Sequence, residues 1–224
     1  MFFRALHNGR EVEEAGAMGH PSLRYERKLW REGVQVVAGV DEAGVGPMAG
    51  PVVAAAVIFE PEVFIKGVND SKQLTAERRE ELFPKIQERA IAIGVGIAHP
   101  GEVDLLNIYW ATMAASERAL YAMGRKPDHV LVDGRLIPEL KMPQTKIVGG
   151  DRKSFCIAAA SIIAKVTRDR MMAEYDAQYP EFGFARHKGY CTPDHMAVLE
   201  RLGPTPIHRR SFAPVWEAAQ RRLF

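Results

Sequence analysis

The sequence predicts an α/β fold, one mixed sheet flanked by helices, with a small helical appendage at the carboxy-terminal end. Three features predict it. Three apolar runs of strand length, VQVVAGVD, VVAAAVIF and AIAIGVGIAH, occupy the first hundred residues. Two long stretches with helical character, 101–124 and 154–179, follow, and two further short strands, HVLVDG and TKIVGGD, lie between them. At 224 residues the chain can bury one substantial core.

In chain order, residues 1–22 carry no sustained periodicity and are expected to form a flexible extension. Ser22 is expected to cap a helix, SLRYERKLWREG, that Gly33 stops. VQVVAGVD is the first strand. VVAAAVIF, apolar throughout, reads as a strand buried on both faces, and Pro51 fits only at its start. A helix follows with Thr75 as its cap. Arg78 stands where a capping box needs Glu or Gln, but Glu77 supplies an acid to the first turn. After the third strand, AIAIGVGIAH, comes an amphipathic helix closed by Gly124. HVLVDG and TKIVGGD are the fourth and fifth strands, and Ser154 caps the second long helix. The remainder, rich in Pro, Gly and His, is expected to make short helices over one edge. The resulting division is an extension at 1–22, a main domain at 23–195 and a helical, basic appendage at 196–224.

Composition is that of an ordinary globular protein, 47% apolar and 26% charged, and a net charge of +2 gives no global pull on polyanions. From Glu200 onward, however, Arg201, Arg209, Arg210, Arg221 and Arg222 face only Glu200 and Glu217, a local basic surface suited to phosphates. Cys156 and Cys191 make neither a disulfide framework nor a metal motif, and Cys156 reads as a small core residue, as in a reducing compartment. Acids interrupt the amino-terminal segment where a signal peptide would be apolar, and no uncharged run is long enough to span a bilayer. A cytoplasmic protein is expected, and without heptads or a large apolar stripe, a monomer.

The acids at strand ends carry the chemistry. Asp41 and Glu42 end the first strand, Asp133 ends HVLVD, and Asp151 ends TKIVGGD, each with glycine close by. Strand ends of an α/β sheet converge on one edge where ligands bind. Four carboxylates there would repel one another unless hard divalent cations such as Mg²⁺ or Mn²⁺ shared the site. Adjacent strand residues face opposite ways, so Asp41 and Glu42 can both serve only if the strand bends, which the following glycines would permit. Taken alone, any of these acids could instead form a turn or cap a helix, Asp151 above all. Asp169, mid-helix between Arg168 and Arg170, is expected on a solvated or ion-paired face. GVGPMAG is GxGxxxG, contains Pro47 and follows two acids that would repel a pyrophosphate, which argues against a dinucleotide loop.

GVDEAGVGPMAGPVVAAAV resembles the signature of the type 2 ribonucleases H, the bacterial ribonuclease HII family. The similarity continues through NDSKQLT, LVDG, GGDRKSFCIAAASIIAKVTRDR, HKGYCTPDH and PTPIHRRSF, in the family's order from about Tyr25 to Val215. The resemblance implies an RNase H-like fold and metal-dependent endonucleolytic cleavage of RNA in RNA–DNA hybrids and at single ribonucleotides in duplex DNA. That activity belongs to DNA replication and repair. It implies Asp41, Glu42, Asp133 and Asp151 as catalytic acids and metal ligands for two Mg²⁺ or Mn²⁺ ions, with in-line attack of water giving 5′-phosphate and 3′-hydroxyl ends. It assigns recognition of the 2′-hydroxyl to the turn Gly44-Val45-Gly46 and to Tyr190. Lys72 and Lys153 are implied phosphate contacts. Where the family usually has Gly-Arg-Gly, this chain has Val45, which lacks a side-chain donor. The tail QRRLF, Gln220 to Phe224, resembles the short motif by which partners dock on bacterial sliding clamps. Two other functions fit the same fold: another RNase H-like nuclease such as a junction resolvase, and a non-catalytic hybrid-binding protein. The intact acids and the HKGY block favour neither.

Overall fold

A computed structural model describes residues 20–138 and 140–221. Five strands form one mixed sheet: β1 Val37–Ala43, β2 Val52–Phe59, β3 Ala90–Ala98, β4 His129–Asp133 and β5 Gln144–Ile147. Their order is β3-β2-β1-β4-β5; β1, β2 and β3 form an antiparallel meander, while β4 and β5 run parallel to β1. The helices among the described residues are α1 Arg24–Arg31, α2 Ala76–Arg89, α3 Pro100–Ala122, α4 Phe155–Gln178, α5 Phe184–His187, α6 Pro193–Leu202 and α7 Ala213–Gln220. None is long and apolar enough to cross a membrane.

Strand alternation sorts the core onto two faces. Ala38, Val40, Val130 and Val132 pack with Ala111, Ala115 and Ala119 of α3. Val37 and Leu131 pack with Ile157 of α4, and Ala55, Val57 and Phe59 pack on Phe155, Ala158 and Ile162 of the same helix. Each large aliphatic side chain buried in this way contributes about 1.5–3 kcal/mol. Gly39 lies on the α4 side, where an added Cβ would collide with the Cys156 backbone. Any side chain at 39 would push α4 off the sheet. All eight residues of β2 are buried, as its uniform apolar character predicts, and Cys156 is a buried free cysteine.

The caps at Thr75 and Ser154 are as expected: Thr75 Oγ1 accepts from Arg78 N at 3.2 Å and Ser154 Oγ from Ile157 N at 3.4 Å. Ser22 is not a cap. Helix α1 starts after Leu23 with no side-chain cap, and Ser22 uses its backbone instead, donating to Lys153 O and accepting from Phe155 N. This ties the start of α1 to the start of α4. Helix α3 is not continuous either. Asn107 has φ 65° and ψ 166°, and its Oδ1 accepts from the N–H groups of Tyr109 and Trp110, so its side chain caps a restarted helix.

The carboxy-terminal helices bury their apolar residues against the loop after β1 and against α4, rather than simply covering a sheet edge. Met48 joins Leu199, Val215 and Ala218, while Ala49 and Met172 join Phe182, Phe184 and Ile207. The boundary drawn at 195/196 falls inside α6. Residues 1–19, most of the expected extension, lie outside the described residues.

Candidate active site

The face assignment places the acids. Asp41 follows Gly39 by two residues and Asp133 follows Leu131 by two, so both project from the α4 face at the carboxyl ends of neighbouring parallel strands. β5 stops at Ile147, and Asp151 arrives on a 3₁₀ turn, Gly150–Arg152, just ahead of α4. Asp151 does not cap that helix; Ser154 does. Ligand oxygens of Asp41, Asp133 and Asp151 lie within 4.8 Å of one another. Asp41 Oδ1 accepts from Glu42 N at 2.7 Å, Asp133 Oδ1 accepts from Gly150 N at 2.6 Å, and Lys72 Nζ stands 3.6 Å from Asp151 Oδ2.

Glu42 is outside that group of three. The expected bend at the acids does not occur in the β1–β2 ladder, which stays in register to Ala43↔Val53, because the glycine turn begins only at Gly44. Alternation therefore puts Glu42 on the α3 face. There it lines, with Asp133, Tyr109, Thr112, Met113 and Arg135, a cavity of about 350 Å³.

Burial and crowding raise Asp41, Glu42 and Asp151. Burial, then the charges of Glu42 and Asp133, hold the Asp41 carboxyl well above the usual carboxylate range. Burial, followed by Asp133 and partly offset by Lys72, pushes Glu42 up to about 7. Asp151 is raised by burial first, then by Asp70 and Asp133. An all-oxygen donor set that resists carrying its own negative charge fits a hard divalent cation. Asp70 is an acid the strand-end pattern did not mark. It is buried beside Asp151, accepts from Lys72 N at 2.9 Å and from Gln73 Nε2 at 3.3 Å, and caps the 3₁₀ turn Ser71–Gln73. Its signal was the NDSK block, read only for its lysine.

Next to the acids, the loop 44–51 is held from behind by two buried guanidinium groups. Arg168 donates to the carbonyls of Pro51, Ala49 and Lys188 at 2.9, 3.1 and 3.0 Å. Arg209 donates to those of Gly50, Val45 and Gly44 at 3.0, 3.1 and 2.5 Å. Burial lowers Arg168 to about 10 and, with Arg168 nearby, Arg209 to about 9, so both stay cationic at neutral pH. Gly44 has φ +95° and packs on the Arg168 side chain, leaving no room for a Cβ. A Cβ at Gly46 would lie 3.7 Å from Tyr190 Cε1, so the turn and the half-exposed Tyr190 ring face each other across a narrow gap. Val45 is exposed at its tip.

The two lysines differ. Lys72 is exposed at the edge of the acids, whereas Lys153 donates to the Val148 carbonyl at 2.7 Å. Asp169 pairs with Lys165 at 2.6 Å and Arg79 at 3.6 Å, as its setting predicts.

The family model described as ribonuclease HII matches residues 38–215. A ribonuclease HII of Geobacillus thermodenitrificans is 55% identical over 196 residues, covering 88% of this chain and 75% of that protein. The crystal structure of ribonuclease H2 from Pyrococcus horikoshii superposes with a TM-score of 0.72 at 30% identity, covering 83% of this chain and 98% of that one. The ribonuclease HII in a complex with PCNA from Archaeoglobus fulgidus superposes with a TM-score of 0.68 at 30% identity, over 79% and 95% of the two chains.

Proposed function

The chain belongs to the ribonuclease HII family, metal-dependent endoribonucleases acting on RNA–DNA hybrids, and from that premise we propose that it also cuts at single ribonucleotides embedded in duplex DNA by a two-cation mechanism. The observation that carries the proposal is the meeting of Asp41, Asp133 and Asp151 within 4.8 Å, beside the glycine turn and Tyr190.

Asp41, Asp133 and Asp151 would hold the cations, with Glu42 approaching from the α3 face. Bound there, divalent ions supply activation of water and neutralisation of charge at phosphorus. The chain's own part is positioning. The Gly150 N–H fixes the Asp133 carboxylate, and the Glu42 N–H fixes that of Asp41. Lys72 offsets negative charge at the rim and meets a flanking phosphate. Lys153, now bonded to Val148 O, would have to leave that carbonyl to do likewise. The N–H groups of the turn Gly44-Val45-Gly46 and the Tyr190 hydroxyl recognise the 2′-hydroxyl, which DNA lacks. The protein acts as a monomer, with 196–224 as the basic appendage. Gln220 to Phe224 docks on a sliding clamp; residues 222–224 lie outside the described residues. The Archaeoglobus relative's structure is of a complex with PCNA, and deleting 220–224 should abolish clamp binding while leaving isolated cleavage intact.

The test of the catalytic reading is cleavage of a DNA duplex holding one ribonucleotide, by wild type and Asp133→Asn in parallel, with Mg²⁺, Mn²⁺ or excess EDTA. Wild type should cut with either metal, leaving 5′-phosphate and 3′-hydroxyl ends, and Asp133→Asn should lose at least about 100-fold in rate. Undiminished cutting in EDTA, or by the variant, refutes it.

A further inference from the structure

We propose that His208 and Arg209, neighbours in the chain and both buried, form one brace that sets the glycine turn and Tyr190 at the spacing needed to read a ribose. The inference rests on the reading that these two elements contact the 2′-hydroxyl.

Arg209 fixes the turn. No carboxylate lies within ion-pair distance of it among the described residues; its three donors go to the carbonyls of Gly44, Val45 and Gly50. In a trans peptide the C=O and the following N–H point opposite ways. Drawing the carbonyls of 44 and 45 inward therefore turns the N–H groups of Val45 and Gly46 outward, and neither has an acceptor among the described residues. The planar fork suits this task as an ammonium does not, since one lysine nitrogen cannot match three carbonyls at fixed positions. With Val45 in place of an arginine, the turn has no charged side chain of its own to anchor a phosphate, so backbone geometry carries the recognition.

His208 fixes the tyrosine loop through His195. Thr205 N donates to His208 Nδ1 at 3.0 Å, which leaves the ring proton on Nε2. That nitrogen is 3.0 Å from His195 Nε2, and His195 Nδ1 is 2.9 Å from the Tyr190 carbonyl. One assignment satisfies the chain: His208 Nε2–H donates to His195, and His195 Nδ1–H donates to Tyr190 O. Both rings are neutral, and both are buried. The backbone closes the frame. Arg209 N donates to Met48 O at 2.9 Å, Gly50 N to Ile207 O at 2.9 Å, and Met48 N to Gly189 O at 3.0 Å. Turn and tyrosine are thus referenced to the same two consecutive residues.

The test is the ratio of affinities for a duplex with one ribonucleotide and the matching all-DNA duplex, by fluorescence anisotropy in Ca²⁺, for wild type, Arg209→Lys, His208→Gln and Tyr190→Ala, with melting temperatures in parallel. Each brace variant should lower the ribose preference by at least about fivefold while binding to all-DNA duplex stays within about twofold. His208→Gln should add less than about twofold to the loss in Tyr190→Ala, because both act through one loop. Equal weakening on both duplexes would mean a merely structural role and overturn the brace. A reduced preference in Tyr190→Ala with none in the brace variants overturns the brace and leaves the ribose reading standing. No preference in wild type, or no effect of Tyr190→Ala, removes the reading and the brace together. Should Arg209→Lys fail to fold, His208→Gln decides by the same criteria.

Discussion

Replacing Glu42 by glutamine should stabilise the metal-free protein while impairing its activity. The carboxyl is raised from an ordinary 4.5 to about 7, by burial first and then by Asp133. At about 1.4 kcal/mol per pH unit, charging Glu42 in the fold costs at most about 3.5 kcal/mol more than charging it in the unfolded chain. Residual exposure of the side chain screens this, so about 1–2 kcal/mol is the working figure. Because the folded value lies above the unfolded one, the wild type is hindered only at higher pH. The cost is absent below about pH 4.5, grows through the interval and is complete above about pH 7. Glutamine removes it. In EDTA at pH 8 the variant should melt a few degrees above wild type, at roughly 2–4 °C per kcal/mol for a chain of this size. At pH 4.5 the two should coincide. Adding Mg²⁺ or Mn²⁺ should raise the wild-type melting point more than that of the variant, since binding to the folded state alone stabilises it by mass action. A variant melting at or below wild type in EDTA at pH 8, or an advantage unchanged at pH 4.5, refutes the account of the acids.

Gly46→Ala should fold normally, because its Cβ would meet Tyr190 at an ordinary 3.7 Å contact, yet lose about tenfold or more in kcat/KM by holding the sugar off the turn's N–H groups; unaltered cleavage refutes the turn as the sugar contact. Val45→Arg should lower KM on the single-ribonucleotide duplex and steepen the salt dependence by about one phosphate contact, as measured by initial rates across a salt series. His195 and His208 are lowered by burial to about 4 and about 3 from an ordinary 6.5. Their neutral forms therefore stabilise the fold fully above about pH 6.5, and that contribution is lost as pH falls through those values. Urea unfolding of His208→Gln should show a shallower loss of stability between pH 6.5 and 4 than wild type.

Much of this was legible before any coordinates, and the misses have physical causes. Apolar runs marked β1 to β4, because a strand covered by helices can hardly be anything but apolar, whereas β5, QTKI at the sheet edge, is largely polar and only its last residue, Ile147, is buried. The acids were legible as interruptions of those runs. What the one-dimensional pattern did not carry was whether the strand bends at its acids. Alternation predicts opposite faces for Asp41 and Glu42 unless a bend intervenes, and the unbroken β1–β2 ladder supplies no bend. Asp70 was missed because it follows a loop rather than a strand. The kink at Asn107 was hidden in a segment of good helix formers, where one asparagine capping its own successors leaves no periodic trace. Ser22 looked like a cap by residue type, but its backbone was already committed to α4.

Arg168 and Arg209 were the least legible of all, since a buried arginine, whether mid-helix in α4 or in a basic tail, resembles a surface one. Their burial changes what the tail is for. A cluster of carboxylates at a sheet end repels a nucleic acid, and a near-neutral molecule has no global field to overcome it. The loop 44–51 stands between that cluster and two guanidinium groups without ion-paired acids. On the proposed function it is the segment against which a phosphodiester would lie, with cations on one side and fixed positive charge on the other. The carbonyls solvate the arginines without neutralising them, which a carboxylate partner would do.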